Sequence, residues 1–318
     1  MAAIVHSAAT LSTLLGSPPV CHIPLVASGD GSGGRPLKDY AEERRDRVFT
    51  PMRSPLLTIV TVNRNMREGL ARTLASVAAV RHPDLEHLVI DGASDDGSVS
   101  LLAQSKNPSL RWASERDGGI YDAMNKGVRQ AKGRWLLFLN AGDVLADPDG
   151  LERLIEAAEG EDEHERRPDI VYGDARILYG DGTSRPRPAE NVNAMKRRMP
   201  FAHAAALIRR NLLLAQPYET SGQAADYGFF LSCWRQGARF VRVPGTVVEI
   251  EAGGVSDRRR VRSTMERWQA VRREGLATPA LAGWYCAAVL RAALVPPLCG
   301  ILPSRLIQLV NGRSRARA

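Results

Sequence analysis

The spacing of apolar residues changes abruptly along this chain. Up to about residue 53 no periodicity is visible, and the stretch SGDGSGGRPLKD is rich in glycine, serine and charge. Such a segment buries too little surface to offset its ordering entropy. Residues 1–53 are therefore predicted to be a poorly ordered leader or the product of a misassigned start codon. From Leu56, LLTIVTV is an apolar, β-branched run suited to a strand buried on both faces. Leu70, Leu74 and Val77 then recur at helical spacing, LEHLVI makes a second strand, Val99 and Leu102 mark a helix, and residues 110–113 a short strand. Ile120, Met124, Val128 and Ala131 share one helical face ahead of the strand WLLFLN. This alternation predicts a mainly parallel α/β sheet with right-handed crossovers, in one domain over residues 54–256. Ligands of such sheets bind beyond the carboxyl ends of the strands. The polar residues at those ends are Asn63, Asp91 and the run from Asn140 to Asp143.

Residues 257–318 follow another pattern. Over 258–273, Val261, Met265, Trp268 and Val271 fall on one helical side and arginines cover the rest, which describes a basic amphipathic helix. The apolar stretch after it is broken by Arg291, Pro296, Pro297 and Pro303, so no spanning helix is predicted. Two uses fit: a helix pair packed on the core, or attachment to a membrane surface with Trp268 and Trp284 at headgroup depth. The basic tail with Arg313, Arg315 and Arg317 favours the second.

Charge adds one exclusion. The net charge of +8 and a pI near 9.6 would suit a nucleic-acid binder, but the excess lies late, beside apolar stretches. No aromatic platform or zinc-finger spacing accompanies it. Cys21, Cys233, Cys286 and Cys299 form no C-x-x-C pair, and the N-terminus lacks the charged and apolar regions of a signal peptide. A reducing, cytoplasmic location follows as the expectation, peripheral on the inner face of the plasma membrane.

Three segments carry the candidate chemistry: VIDGASDDG from Val89, SERDGGIYDAMNKG from Ser114 and FLNAGD from Phe138. Each puts carboxylates or amides at the rim of one sheet. That inventory suits a nucleotide, which needs acceptors for base or ribose and a carboxylate-bound cation on its diphosphate. With His203, AADYGFF at 224–230 and GGVS at 253–256, the ordered set resembles family 2 glycosyltransferases of the GT-A fold, and particularly the branch that includes colanic-acid biosynthesis transferases. The match runs over roughly residues 57–256.

The resemblance implies a hexosyltransferase-type enzyme that moves a sugar, with inversion, from a nucleoside diphosphate sugar to a hydroxyl. The acceptor would be a glycan or lipid-linked glycan of surface polysaccharide synthesis. Thr61 and Asn63 would border the nucleotide, and Asp91 would accept from its base or ribose. Many family members carry a second acid after that Asp; here the place is Gly92. Asp117, Asp122 and Asn125 would line the donor-sugar side. FLNAGD stands at the family's D-x-D motif, with Asn140 in place of the first acid and Asp143 as ligand of Mg²⁺ or Mn²⁺. Asp226 would be the general base, and His203 would border the substrate, with Ala204 where the branch usually has Gln.

Read as residues alone, several of these have plainer uses. Asp91 could open an Asx-turn, Asp117 or Asp122 could favour a helix N-terminus, Asp226 could be an N-cap, and His203 could be structural. A nucleotidyltransferase of sugar-nucleotide synthesis would want a Gly-rich phosphate loop after the first strand, where NRNMREG stands. A dinucleotide-dependent oxidoreductase would want G-x-G-x-x-G there. An inactive nucleotide-sugar-binding protein would be favoured by loss of Asp143 or Asp226, and both are present.

Overall fold

A computed structural model describes residues 55–160, 167–252 and 260–299. The leader, the GGVS segment, Arg258, Arg259 and the basic tail lie outside the described residues. β1 (Leu57–Asn63) is buried along its whole length, and so is β2 (Leu85–Asp91), as their unbroken apolar runs require. α1 (Arg67–Ala78) follows β1, α2 (Ser98–Ala103) follows β2, and β3 (Leu110–Ser114) leads into α3 (Ile120–Gln130). β3, β2, β1 and β4 (Trp135–Phe138) are neighbours in that order and parallel, as the strand–helix alternation predicts.

The other half of the sheet departs from the mainly parallel expectation. β8 (Ala206–Arg209) runs antiparallel to β4, and β6 (Ile170–Leu178) antiparallel to β8. β9 (Phe240–Glu251) returns parallel to β6, and its far end pairs antiparallel with the short β5 (Val144–Leu145). β7 (Ser184–Arg187) extends β6 as a hairpin. Gly245 at φ 101° and a register shift opposite Asp174 let β9 bend, so one strand serves both β6 and the loop after β4. The outcome is a mixed nine-stranded sheet with α4 (Pro148–Glu159) against its second half.

One hydrophobic cluster joins the α3 face of the sheet to α6 (Ala225–Arg235), through Val60, Ile90, Met124, Phe138, Phe201 and Phe230. The short α5 (Arg210–Ala215) adds Leu213 to it. α7 (Arg260–Arg273) and α8 (Pro279–Cys299) belong to the same cluster, through Ala270, Val271, Leu281 and Tyr285. Trp268 lies against Tyr285 with ring centroids 5.1 Å apart, and the Tyr227 and Tyr285 hydroxyls are 3.1 Å apart. The placement of Trp268 and Trp284 at headgroup depth is thereby corrected. Both rings are half-buried on the core, where aromatic partners supply the burial that lipid would otherwise provide. Among the described residues, no helix is long and apolar enough to cross a membrane.

Candidate active site

The carboxyl ends of β1, β2 and β4 lie side by side, so their first loop residues share one rim. Asn63 donates from Nδ2 to Asp91 Oδ1 at 2.7 Å and to Ser94 Oγ at 3.2 Å. Asp91 also accepts from Ser114 Oγ at 2.6 Å, Ser94 Oγ at 2.6 Å and Ser94 N at 2.9 Å. Burial alone would raise its carboxyl, but these bonds outweigh it and hold the group below the usual carboxylate range. A carboxylate has about four lone-pair sites, and here four protein donors use them. Asp91 therefore ties three strand ends together, at the rim where the sequence places an acceptor for base or ribose.

Asn63 keeps Oδ1 buried with no partner, an acceptor at the same rim. Thr61 is fully buried, 3.0 Å through its hydroxyl from His87 Nε2. Burial pushes the His87 imidazole down to about 4, so it stays neutral. Thr61 thus belongs to the floor under the rim, with its hydroxyl engaged by His87.

Asp117 and Asp122 both grip the turn that opens α3. Asp117 Oδ1 accepts Gly119 N–H at 2.9 Å, and Asp122 Oδ2 accepts Gly118 N–H at 2.9 Å with Lys126 Nζ 3.7 Å away. These are helix-start contacts. Asp117 does more, since its Oδ2 lies 2.5 Å from where a Cβ on residue 92 would stand. A side chain at 92 would have to displace the Asp117 carboxylate, which lies beside that position. Asn125 is buried, donates to Tyr218 O at 2.8 Å and accepts Tyr218 N–H at 3.0 Å, so its amide clamps a loop.

The loop after β4 is held from three sides. Leu139 N and Ala141 N continue the ladder onto Val60 O and Val62 O, and the Thr73 hydroxyl of α1 sits 2.7 Å from Asp143 O. Gly142, at φ 102°, lets the chain turn, while Gly69 of α1 lies so close that a Cβ there would stand 3.0 Å from Gly142 N. Asp143 is buried, and burial pushes its carboxyl up to about 7, with the nearby Glu251 carboxylate adding to the rise. Arg72 pairs with Glu251 from the outside. Asn140 Oδ1 is buried without a partner.

Two carboxylates and an orphaned amide oxygen make a donor set that fits a hard divalent cation. Among the described residues, no group of three or more His, Cys, Asp or Glu is placed to hold a metal alone. Nucleotide sites commonly hold Mg²⁺ by one or two carboxylates plus substrate phosphates, so this count is compatible with a site that the donor completes.

Asp226 is the second residue of α6. Its Oδ1 accepts the Tyr121 hydroxyl of α3 at 2.9 Å. Burial, and then the charge of Asp226, raises the Tyr121 phenol far above its usual value, so it remains a donor. His203 Nε2 lies 2.9 Å from the Tyr218 hydroxyl, and its ring rests on Phe138 and Phe230. Burial lowers the imidazole, partly opposed by Asp226, which places His203 within electrostatic reach of that carboxylate. Tyr121, Tyr218, Ser114 and Glu251 are parts of this arrangement that sequence reasoning missed. SERDGGIYDAMNKG holds two of them, Ser114 and Tyr121, but nothing in spacing alone distinguishes their hydroxyls from ordinary surface or core positions.

Comparison with known proteins bears on the whole arrangement. Residues 57–217 match the family model described as glycosyl transferase family 2. A Mycobacterium tuberculosis protein named as an uncharacterized glycosyltransferase is 41% identical over 108 residues, 34% of this chain and 41% of the relative. The chain thus spans less than half the length of that relative. A PGL/p-HBAD biosynthesis glycosyltransferase of Mycobacterium bovis is 32% identical over 213 residues, 65% of this chain and 81% of the relative. Among solved structures, the mannosyltransferase PcManGT of Pyrobaculum calidifontis, in complex with GDP-Man and Mn²⁺, matches with a TM-score of 0.56. That match covers 89% of this chain and 88% of the other at 18% identity, and it shows a shared GT-A fold. With the family model covering half the chain and the Mycobacterium bovis relative covered over four-fifths of its length, this chain belongs to glycosyl transferase family 2.

Proposed function

We propose that the protein transfers a sugar from a nucleoside diphosphate sugar to a hydroxyl group, with inversion, in glycan assembly. The observation that carries this reading is a pair of complementary centres. Asp143 with Asn140 and Glu251 suits a cation-bound diphosphate, and Asp226, fixed by Tyr121, suits an attacking hydroxyl. Mg²⁺ or Mn²⁺, when bound, would offset the charge that builds on the departing diphosphate. Asp143 would hold that cation, with Asn140 Oδ1 as a further donor. Asn63 and Asp117, at the ends of β1 and β3, border the nucleotide. Asp122 borders the donor sugar, and His203 the acceptor side.

Asp226 accepts the proton of the acceptor hydroxyl as its oxygen bonds to the anomeric carbon. The bond from that carbon to the phosphate oxygen breaks, and the nucleoside diphosphate leaves with the electron pair. Tyr121 keeps the Asp226 carboxylate aimed by donating to its Oδ1 at 2.9 Å. Attack opposite the leaving group inverts the anomeric centre. Proton NMR of the first product formed from a donor of known configuration tests this directly: the opposite configuration is expected, and a retained one contradicts it.

The acceptor is proposed to be lipid-linked and met at the inner face of the plasma membrane. Support comes from α8, where Leu290 and Leu294 are 60% and 56% exposed beside Arg291. Exposed leucines flanked by a cation suit an anionic lipid surface. Flotation with anionic liposomes should carry the full chain, and Leu290→Glu/Leu294→Glu should stay behind. Equal flotation of the two proteins would remove α8 from the contact.

A further inference from the structure

α6 carries Asp226 but starts without a cap of its own. Its N-cap is Ala224, which has no side-chain oxygen to accept the first N–H groups of the helix. An acceptor for the turn that leads into the helix comes from α7. Glu266 Oε2 accepts Gln223 N–H at 2.6 Å and Ala224 N–H at 3.1 Å. A Cβ on Gly222 would stand 3.3 Å from the same oxygen, so the turn lies flat against this carboxylate. Glu266 Oε1 accepts Arg262 Nε at 2.9 Å, one turn back on α7, and the Glu266 side chain is 18% exposed. The carboxylate is thus fixed from its own helix and faces the positive end of α6.

The same peptide is held from its other side. The Tyr121 hydroxyl, which reaches Asp226 Oδ1 at 2.9 Å, is 3.1 Å from Gln223 O. Gln223, three residues before Asp226, is therefore gripped through its N–H by α7, while its C=O and the Asp226 carboxylate share the one hydroxyl proton of Tyr121 from α3. A change in the pitch of this turn moves the Asp226 carboxylate with it.

From this geometry we infer that Glu266 is a positioning residue for Asp226, setting the start of α6 from a helix that follows the last strand of the sheet. The inference rests on the reading of Asp226 as the acceptor-side base. It gives α7 a part in turnover in addition to packing, and it means that a chain ending near residue 258 would lose the cap.

The test compares Glu266→Ala and Glu266→Gln in the full-length protein, with Asp226→Asn in parallel. Amide hydrogen exchange over residues 220–228 reads the cap without reference to activity. Exchange at Gln223 and Ala224 should speed up in Glu266→Ala and stay near wild type in Glu266→Gln, whose amide oxygen still accepts. A displacement of about 1 Å can cost on the order of 10²-fold in rate, so kcat of Glu266→Ala should fall by about 10- to 100-fold. Its KM for donor and its affinity for the nucleoside diphosphate should hold, and Glu266→Gln should recover most of kcat. Unchanged exchange in Glu266→Ala, a parallel loss of donor affinity, or no recovery in Glu266→Gln would overturn the inference. Full turnover by Asp226→Asn would instead overturn the base assignment, whatever the exchange data show.

Discussion

Asp226→Asn is expected to lower turnover by at least about 10²-fold, the lower range for loss of a general base. The amide keeps the shape of the carboxylate, and its oxygen can still accept the Tyr121 hydroxyl that Asp226 accepts at 2.9 Å. The start of α6 is held by Glu266, so the substitution leaves the fold's own cap in place. Binding of a nucleoside diphosphate should therefore be unchanged, because the cation-side residues belong to the loop after β4. Steady-state kinetics with a saturating donor, set beside calorimetric nucleotide binding, separates the two effects. A drop of less than about tenfold in a folded Asp226→Asn protein would assign the base elsewhere.

The second large effect is expected at Asp143. Asp143→Ala should abolish cation-dependent donor binding, since Asn140 and Glu251 alone leave the diphosphate oxygens with one carboxylate and an amide to share a cation. The fold should survive. Asp143 is a buried carboxylate pushed up by desolvation and set against a second carboxylate, so its removal takes away an uncompensated charge. Thr73 holds the loop through the Asp143 carbonyl, which the substitution keeps. Calorimetric titration with Mn²⁺ present and absent checks this. Metal-dependent donor binding at wild-type strength in the variant would contradict the assignment of Asp143.

How much of this was legible in the sequence depends on the kind of contact involved. Strands β1, β2 and β4 could be read because burial on both faces demands unbroken apolar runs, and α3 because its buried residues recur at helical spacing. The second half of the sheet was less legible. β9 shows no clean alternation, since it bends at Gly245 and pairs with β5 as well as β6 near its far end. Polar partners were the least legible. Asn125 reads as a site amide until its mate, the Tyr218 backbone, is seen 93 residues away. Glu266 reads as one acid on an arginine-rich helix face, and its bond to Gln223 spans 43 residues. Periodicity reveals which face of a helix is buried, but not which backbone group a polar side chain on that face will meet. Gly92 and Asp117 make the same point from the other direction. A carboxylate does lie beside position 92, but it belongs to Asp117 in the loop before α3 and not to the residue after Asp91.

The central claim is that this rim binds a nucleoside diphosphate sugar through a divalent cation. Calorimetric titration of the full chain with uridine and guanosine diphosphates and their sugars, each with Mn²⁺ and with EDTA, tests it most directly. Binding of one nucleotide family, present with Mn²⁺ and lost in EDTA, is the predicted result. No binding by either family in Mn²⁺, or binding that EDTA leaves intact, would contradict it.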